Sequence, residues 1–468
     1  MLGGVAVSLA AALDPEVRDT FQNSVSSNFN RLESIARWLV AKEIWILLLL
    51  GPLFLLPRRS FSVVFLAIPI LWILRWRVRG RLTRRTPFDW SILGLLVMLG
   101  VSFLVSADLD RSLPKLAGVL WGVAVFYAIV NRAPSPREMA WIALGIVGAG
   151  GLVALVGLAG TQWITGGKFL PDRIYSLLPR VLLNIPGTAQ GWIHPNEVGG
   201  SLALIVPFAF VVVASYWNDK TKSESLPRIW NWWLLAAALV LTTGVLVLSQ
   251  SRSALFGVVI SVALYFAIRW RRARWVIAAV AVGALIVFAV LGYDRLGDLL
   301  AGSSSESTAV GTLDFAGRQE VWERALYAIQ DFPFTGVGLN MFDPVSKVLY
   351  PYFLVSPDAV LTHAHDIYLQ VTVDLGIPGL VAYIALLSAM AYMVIDVWLH
   401  SPSALFRTLA LAAGLGVFAH QVFGFTDALG LGVKPGIILW AMLGLVGLIW
   451  ASANNQIPGF PEGKKPGI

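Results

Sequence analysis

The spacing of apolar segments constrains the fold of this chain more than any other feature. A transmembrane helix needs about 20 apolar residues to cross the hydrocarbon core of a bilayer. Twelve runs reach or approach that length: 43–56, 60–74, 88–105, 113–130, 139–160, 196–216, 231–249, 253–268, 275–291, 376–398, 407–424 and 436–451. With 57% hydrophobic and 13% charged residues, and a mean hydropathy of +0.73, the composition excludes a soluble domain. We predict an all-α polytopic membrane protein with about twelve transmembrane helices.

The distribution of basic residues predicts how the chain is oriented. Arginines concentrate in 75–85 and again in 269–274. Both clusters fall on the cytoplasmic side if the N-terminus is cytoplasmic, in agreement with the positive-inside rule. The net charge of +8 is therefore explained by membrane topology, and we expect no nucleic acid partner. Because the number of spans is even, both termini are expected in the cytoplasm.

This orientation divides the chain into segments. We predict a cytoplasmic segment 1–42, helices one to nine in 43–291, a long extracytoplasmic loop with short helices in 292–375, helices ten to twelve in 376–451, and a cytoplasmic tail 452–468. The outer connections are then 106–112, 161–195, 249–252, 292–375 and 425–435. Most of the unusual polar residues fall at this face. Cysteine is absent, which excludes disulfides, a thiol nucleophile and a thiolate metal site.

A histidine-rich segment precedes the tenth apolar run. His363 and His365 are two residues apart, and Asp366 is followed by nine amphipathic residues and then Gly-Ile-Pro-Gly at 376–379. The pattern predicts a short surface helix and a turn into the bilayer, which would hold an imidazole at the lipid–water boundary for proton transfer. A His-Asp pair that only caps the helix fits equally well. The two histidines lack a third ligand, so we predict no metal site.

Two arginines at the same face are candidate anion-binding residues. A guanidinium group stays charged and binds phosphate oxygens in a bidentate manner. Arg252 interrupts two apolar runs, where an unpaired charge is costly. Arg318 either binds an anion or pairs with Glu320 or Glu323 on a surface helix.

The remaining polar residues favour structural interpretations. His194 and Glu197 have the pattern of a helix start, which we favour over a binding site. Asp108 and Asp110 are spaced as in a metal-binding Asp-x-Asp, but a solvated turn is favoured. His420 is either a packed polar residue or part of the site. We interpret Asp427 as a solvated loop residue.

Four motifs occur in an order that resembles the O-antigen ligase/polymerase superfamily. They are Ser-Arg-Ser-Ala at 251–254, Gly-Arg-x-x-x-Trp at 317–322, Pro-Phe-Thr-Gly-Val-Gly at 333–338, and His-Ala-His-Asp at 363–366 with the Gly-Ile-Pro-Gly that follows. The resemblance covers roughly residues 90 to 450 and includes the twelve-span layout with a long outer loop between spans nine and ten. The chain departs from the ligase pattern at Asp366 and at Leu380-Val381, and these departures concern the acceptor rather than the reaction class.

The resemblance implies an inverting glycosyltransferase of the bacterial plasma membrane that needs neither a metal ion nor a nucleotide. Its donor would be a glycan on undecaprenyl diphosphate, and its acceptor a hydroxyl group of lipid A-core or of another lipid or glycan. We expect no cofactor, and membrane lipids as surroundings. In our hypothesis His365 is the general base or the group that orients the acceptor hydroxyl, and Arg318 and Arg252 stabilise the departing diphosphate. His363, Asp366, His194 and His420 are secondary candidates for contacts with substrate.

Other functions stay open at this point. An O-antigen polymerase and a protein O-oligosaccharyltransferase differ from a ligase in their acceptor, which the loops do not define. A membrane anion transporter is the main alternative of another class. Transporters place polar sites near the bilayer midplane, often on broken helices. Here polarity gathers at one face, which favours an interfacial enzyme.

Overall fold

The computed structural model describes residues 31–55, 59–132, 135–163, 172–178, 181–182, 191–218, 232–283, 315–356, 361 and 363–455. The regular elements among these residues are helices, and an isolated bridge joins Thr161 and Ile193. The prediction of an all-α membrane protein is confirmed. Parts of several predicted segments lie outside the described residues: 1–30 of the N-terminal segment 1–42, 284–291 at the end of the ninth span, 292–314 of the long loop, and 456–468 of the tail 452–468.

We number the α-helices in chain order. They are α1 (31–41), α2 (Glu43–Leu55), α3 (Ala67–Arg79), α4 (Asp89–Val105), α5 (Leu109–Val130), α6 (Pro136–Gly160), α7 (Asp172–Ser176), α8 (Pro195–Asn218), α9 (Trp232–Leu248), α10 (Arg252–Arg269), α11 (271–283), α12 (Phe315–Asp331), α13 (Phe342–Leu349), α14 (Ile367–His400), α15 (Ala404–Gly424) and α16 (Gly436–Asn455). A 3-10 helix, Arg59–Leu66, precedes α3.

Seven of the described helices are long and apolar enough to cross a membrane: α5, α6, α8, α10, α14, α15 and α16. Three more are apolar but shorter: α2, α4 and α9. The total of twelve spans and the full extent of the long loop remain predictions. Among the seven, α5, α8, α15 and α16 are buried over most of their length, whereas α6, α10 and α14 are mainly exposed. The first group forms the centre of the bundle.

Small residues allow close packing between these helices. A Cβ atom at Gly257 of α10 would lie 2.4 Å from the carbonyl oxygen of Ala419 in α15. The Ser261 hydroxyl, one turn further along α10, donates to the carbonyl of Leu415 at 2.7 Å. The two helices therefore run antiparallel in direct contact, as in small-residue packing of transmembrane helices. This register determines where the first residue of α10 lies.

A buried ion pair connects α2 and α3. Arg75 is fully buried and its guanidinium binds both carboxylate oxygens of Glu43, with Nε to Oε2 at 3.1 Å, and it also donates to the carbonyl of Leu82 at 2.7 Å. Arg75 belongs to the basic cluster 75–85 on which the predicted orientation rests. It is a buried residue that joins α2 to α3.

Helix α14 changes direction at Gly376. This residue has φ 70° and ψ 177°, a conformation that L side chains avoid, and a Cβ atom there would lie 2.5 Å from the carbonyl oxygen of Phe334. Two backbone hydrogen bonds dock the glycine-rich turn on this kink: Val337 N–H to Val373 O at 2.8 Å, and Ile377 N–H to Pro333 O at 2.7 Å. The predicted break between the helix 367–375 and the next span is therefore observed. The turn at 333–338 is a structural support for it.

The described parts of the five predicted outer connections meet at one end of the bundle. The Ser106 hydroxyl accepts from Leu339 N–H at 2.9 Å, and the Tyr175 hydroxyl donates to Leu248 O at 3.1 Å. Residues 249–251 pack against Gly199 at the start of α8. Asp427 contacts His363 and His365, which joins the connection 425–435 to the long loop. We call this the site end of the bundle.

Candidate active site

Helix α12 brings two loops of the site end together. Arg318 and Trp322 are four residues apart and therefore project from one face of the helix. The Arg318 Nη1 donates to the carbonyl of Thr426 at 2.9 Å, and the Trp322 indole donates to the carbonyl of His365 at 3.3 Å. The spacing of the Gly-Arg-x-x-x-Trp motif is explained by these two contacts. The alternative that Arg318 pairs with Glu320 or Glu323 is wrong, because both carboxylates bind Arg324.

Three side chains converge between these loops. The Asp427 Oδ1 lies 3.3 Å from Nδ1 of His365 and 3.4 Å from Nε2 of His363. The imidazole rings are 4.4 Å apart at nearly right angles, and His365 N–H donates to Nδ1 of His363 at 3.2 Å. His365 adopts φ 50°, which is uncommon for a residue with a side chain. The backbone is therefore held in a special conformation that turns both rings toward one carboxylate.

Asp427 is a buried anion, which corrects its interpretation as a solvated residue. Only 4% of it is exposed. Burial alone would raise the pKa of this carboxyl group, but contact with His365 and the nearby side chains of His363 and Arg318 outweigh it and hold the pKa well below its usual range. The sequence contains one indication that Asp427 is paired. It is a charged residue in a short connection between two apolar runs, where an unpaired charge is costly.

His363 is electrically neutral in this setting. Burial lowers the pKa of its imidazole to about 3, and the neighbouring His365 adds to this effect while Asp427 opposes it. Lys115 and His194 lie close enough to contribute in the same direction as His365. A neutral imidazole can accept a hydrogen bond or bind a metal ion, whereas a charged one can do neither.

Two polar atoms of the site have no hydrogen-bond partner among the described residues. They are Nε of Arg318 and Oγ1 of Thr426, both of them buried, whereas Nδ1 of His365 faces Asp427 at 3.3 Å. A buried polar atom left unsatisfied costs about 1–3 kcal/mol. Such atoms are rare in native structures, and two of them together indicate a place where a polar ligand binds.

Arg252 begins α10 at the site end. The contacts Gly257 to Ala419 and Ser261 to Leu415 fix the antiparallel register of α10 and α15, so Arg252 lies level with Gly424, just before the loop that carries Asp427. The residues before it, 249–251, are buried, but Arg252 itself is exposed. The structure thus places a second guanidinium at the site end, on a different helix from Arg318.

The secondary candidates have defined local contacts. Asp366 caps α14, because its Oδ1 accepts from the N–H groups of Tyr368 and Leu369 at 2.8 Å. His194 precedes α8 and its Nδ1 accepts from Asn196 N–H at 3.2 Å, which is the predicted helix start. His420 is buried inside α15 with Nδ1 3.4 Å from Gly200 O. Their roles in substrate binding stay predictions.

Asp108 is also a capping residue. Its Oδ1 accepts from Asp110 N–H at 3.0 Å and Arg111 N–H at 3.2 Å at the start of α5. The Asp-x-Asp spacing is therefore explained by helix capping rather than by a metal site.

Within the described part of the chain, one group of side chains could hold a metal ion. The ligand atoms of His363, His365 and Asp427 all lie within 4.8 Å of one another. Two imidazoles and a carboxylate are ligands that first-row transition metals accept. The sequence identified the two histidines but not the third ligand, because Asp427 follows them by two membrane helices in the chain.

Comparison with known families gives one result that bears on the site. Residues 237–384 match the family described as O-antigen ligase, which confirms the resemblance to that superfamily. The matched range contains Arg252, Arg318, His363 and His365 and ends before Asp427. No curated protein matches the chain.

Proposed function

We propose that this chain, which carries the O-antigen ligase match over residues 237–384, is an inverting, metal-independent glycosyltransferase. It would move a glycan from undecaprenyl diphosphate to an acceptor hydroxyl at the outer face of the bacterial plasma membrane. The observation that carries this proposal is the junction of Thr426 and Asp427. Thr426 binds the Arg318 guanidinium and Asp427 contacts the two imidazoles, so two adjacent residues position both the proposed cation and the proposed base.

The base in this reaction is His365. With its Nδ1 turned toward the ionised Asp427, the ring would carry its proton on Nδ1, and the lone pair of Nε2 would be left for the acceptor hydroxyl. The hydroxyl proton passes to Nε2 as the acceptor oxygen bonds to the anomeric carbon of the donor. Asp427 stabilises the resulting imidazolium and holds its orientation. His365 also depends on Trp322, whose indole fixes its carbonyl.

The leaving group is the lipid diphosphate. The bond from the anomeric carbon to the phosphate oxygen breaks with its electron pair, so negative charge grows on the diphosphate. Arg318 is fixed through Nη1 to Thr426, and its buried Nε has no partner among the described residues and is available to a phosphate oxygen. Arg252, level with the same loop, is the second cation. Such pre-positioned groups stabilise a developing charge without reorganisation.

The location of the cluster supports an enzyme over the anion transporter. His363, His365 and Asp427 lie in loops outside the helices that could span the membrane, and Arg318 lies on the loop helix α12. A carrier with alternating access would place its binding residues near the midplane. Polymerase and protein O-oligosaccharyltransferase activities differ only in the acceptor and stay as alternatives within the same chemistry.

The test is glycan transfer by purified protein. The protein is incubated with an undecaprenyl-diphosphate oligosaccharide and separate acceptors (lipid A-core, a second copy of the donor, and an acceptor polypeptide), and products are identified by mass. His365→Ala should lose transfer, since the base is gone, while the exposed His400→Ala at the opposite end of α14 should keep it. Both variants must show the unfolding temperature of the wild type. Transfer at the wild-type rate by a folded His365→Ala protein would refute the mechanism.

A second measurement separates the enzyme from the carrier. Purified protein in liposomes is offered labelled anions, including diphosphates, with and without His365→Ala. We expect no uptake above empty liposomes. Uptake that His365→Ala abolishes would identify a transporter instead.

A further inference from the structure

A shallow apolar groove lies along one face of α9. It has a volume of about 550 Å³, and it is lined by Ile174 of α7 and by α9 from Leu239 to Leu248. Within α9 the lining follows the i, i+3, i+4, i+7 pattern of a single helix face, with Val240, Thr243, Gly244 and Val247. Gly244 has no atom within 4 Å of the place where its Cβ would be, so the absence of a side chain there leaves space.

The groove ends at the site end of the bundle. Its last residue, Leu248, accepts a hydrogen bond on its carbonyl oxygen from the Tyr175 hydroxyl at 3.1 Å. The chain then passes through the buried residues 249–251 to Arg252, which is exposed. The apolar groove and the Arg252 cation are thus separated by three residues of the chain. This combination matches a ligand with a long hydrocarbon chain and an anionic head group.

We propose that this groove binds the polyprenyl chain of the donor, next to the diphosphate. The inference rests on the proposed function and adds a location to it. Residues 239–248 of α9 span about 14 Å at 1.5 Å per residue, roughly half of the hydrocarbon core of a bilayer. The groove would therefore hold the isoprene units nearest to the head group, and the rest of the chain would extend into the lipid.

Substitution of Gly244 tests the groove. Gly244→Phe fills it without touching the residues assigned to catalysis. The matched control is Gly148→Phe, since Gly148 is an exposed glycine of α6 that also has open space at its Cβ position and lies outside the groove lining. Two donors with the same glycan are compared: one on undecaprenyl diphosphate, and one on a diphosphate with a single isoprene unit, which is too short to reach Gly244.

The expected result is a change in chain-length preference. Gly244→Phe should lower kcat/KM for the undecaprenyl donor about tenfold, the effect of losing contacts with two CH2 groups, and leave the short donor unchanged. Gly148→Phe should behave as the wild type with both donors. An equal loss with both donors, or no loss with either, would overturn the inference.

Photolabelling provides a readout that does not need activity. A benzophenone-bearing polyprenyl diphosphate should label peptides containing residues 239–248, and undecaprenyl diphosphate should compete with it. Competition by phosphatidylglycerol to the same extent would show a site for ordinary acyl chains and refute the assignment. If the wild type is labelled within 239–248 but transfers no glycan, the assignment of the groove stands and the proposed activity is wrong. If the wild type transfers glycan but is labelled elsewhere, only the assignment of the groove is wrong.

Discussion

The carboxylate of Asp427 lies 3.3 Å from Nδ1 of His365, although the two residues belong to different loops separated by α14 and α15. Helix α12 holds the loops together, with Trp322 on the carbonyl of His365 and Arg318 on that of Thr426. The base, the group that orients it and the cation are thus connected through three short contacts. A change in any one of them should affect the others.

Asp427→Asn is expected to lower kcat at least 100-fold with little change in KM. The amide has the shape of the carboxylate and can keep the contact with Ala428 N–H at 2.9 Å, but it cannot stabilise an imidazolium. The control is Asp396→Asn, which changes a His-Asp pair at the opposite end of α14, 2.9 Å to His400 Nδ1, where Asp396 is half-buried and also accepts from the Trp450 indole at 2.8 Å. Steady-state kinetics of glycan transfer provide the measurement. A kcat within twofold of the wild type would exclude the orienting role.

Glu320 should be essential for the structure of the loop segment 353–355. Its carboxylate accepts from the N–H groups of Phe353, Leu354 and Val355 at 2.6 Å, 2.9 Å and 2.9 Å. Removing it leaves three backbone donors without partners, at about 1–3 kcal/mol for each one that stays buried. We expect Glu320→Ala to lower the unfolding temperature strongly and to reduce transfer indirectly.

The matched control for this prediction is Glu323→Ala. Glu323 is on the same helix and 53% of its side chain is exposed, so its loss should cost less than about 1 kcal/mol. Thermal unfolding in detergent, followed by tryptophan fluorescence, compares the two variants. Equal unfolding temperatures for Glu320→Ala and Glu323→Ala would contradict a structural role of the Glu320 hydrogen bonds.

The sequence predicts the helices well because apolar periodicity and length are local properties. The predicted spans 88–105, 196–216 and 407–424 correspond closely to α4, α8 and α15. The break at Gly376 is also predicted, because a Gly-Ile-Pro-Gly sequence cannot continue a regular helix. These features follow from neighbouring residues alone.

The errors concern pairings between distant parts of the chain. Asp427 has no neighbour in sequence that indicates two imidazoles, and no local pattern indicates that Arg75 is buried with Glu43 as its partner. Asp366 caps α14, which is one of the two interpretations that the sequence allowed, but the acid that faces the rings comes from another loop. Such contacts depend on helix packing, which single-sequence patterns do not specify.

The stability of the protein should depend on pH through His363. Its pKa is about 3 in the folded protein against 6.5 for the free side chain, so the unfolded chain binds more protons between these values. The contribution of His363 to the free energy of unfolding is therefore fully present above about pH 6.5, and it is lost as the pH is lowered toward about 3. The low pKa of Asp427 adds a loss only below the usual carboxyl range, so the two contributions are separable.

His363→Asn removes the titrating group and keeps an acceptor for His365 N–H. We expect its unfolding temperature to fall less than that of the wild type between about pH 7 and about pH 5. The exposed His400→Asn serves as the control and should retain the wild-type slope. Parallel slopes for wild type and His363→Asn would mean that folding does not change the pKa of His363.

Transition metal ions should inhibit the enzyme rather than activate it. The ligand atoms of His363, His365 and Asp427 lie within 4.8 Å of one another, and the neutral His363 and the ionised Asp427 are ready to bind a cation. A bound Zn²⁺ or Ni²⁺ would occupy the imidazole that removes the acceptor proton. We therefore expect inhibition by Zn²⁺ that EDTA reverses, and full activity of the protein after treatment with EDTA alone. His363→Asn should weaken the inhibition, because one of the three ligands is lost. If EDTA abolishes transfer and a divalent ion restores it, these residues are metal ligands and the metal-independent mechanism is wrong.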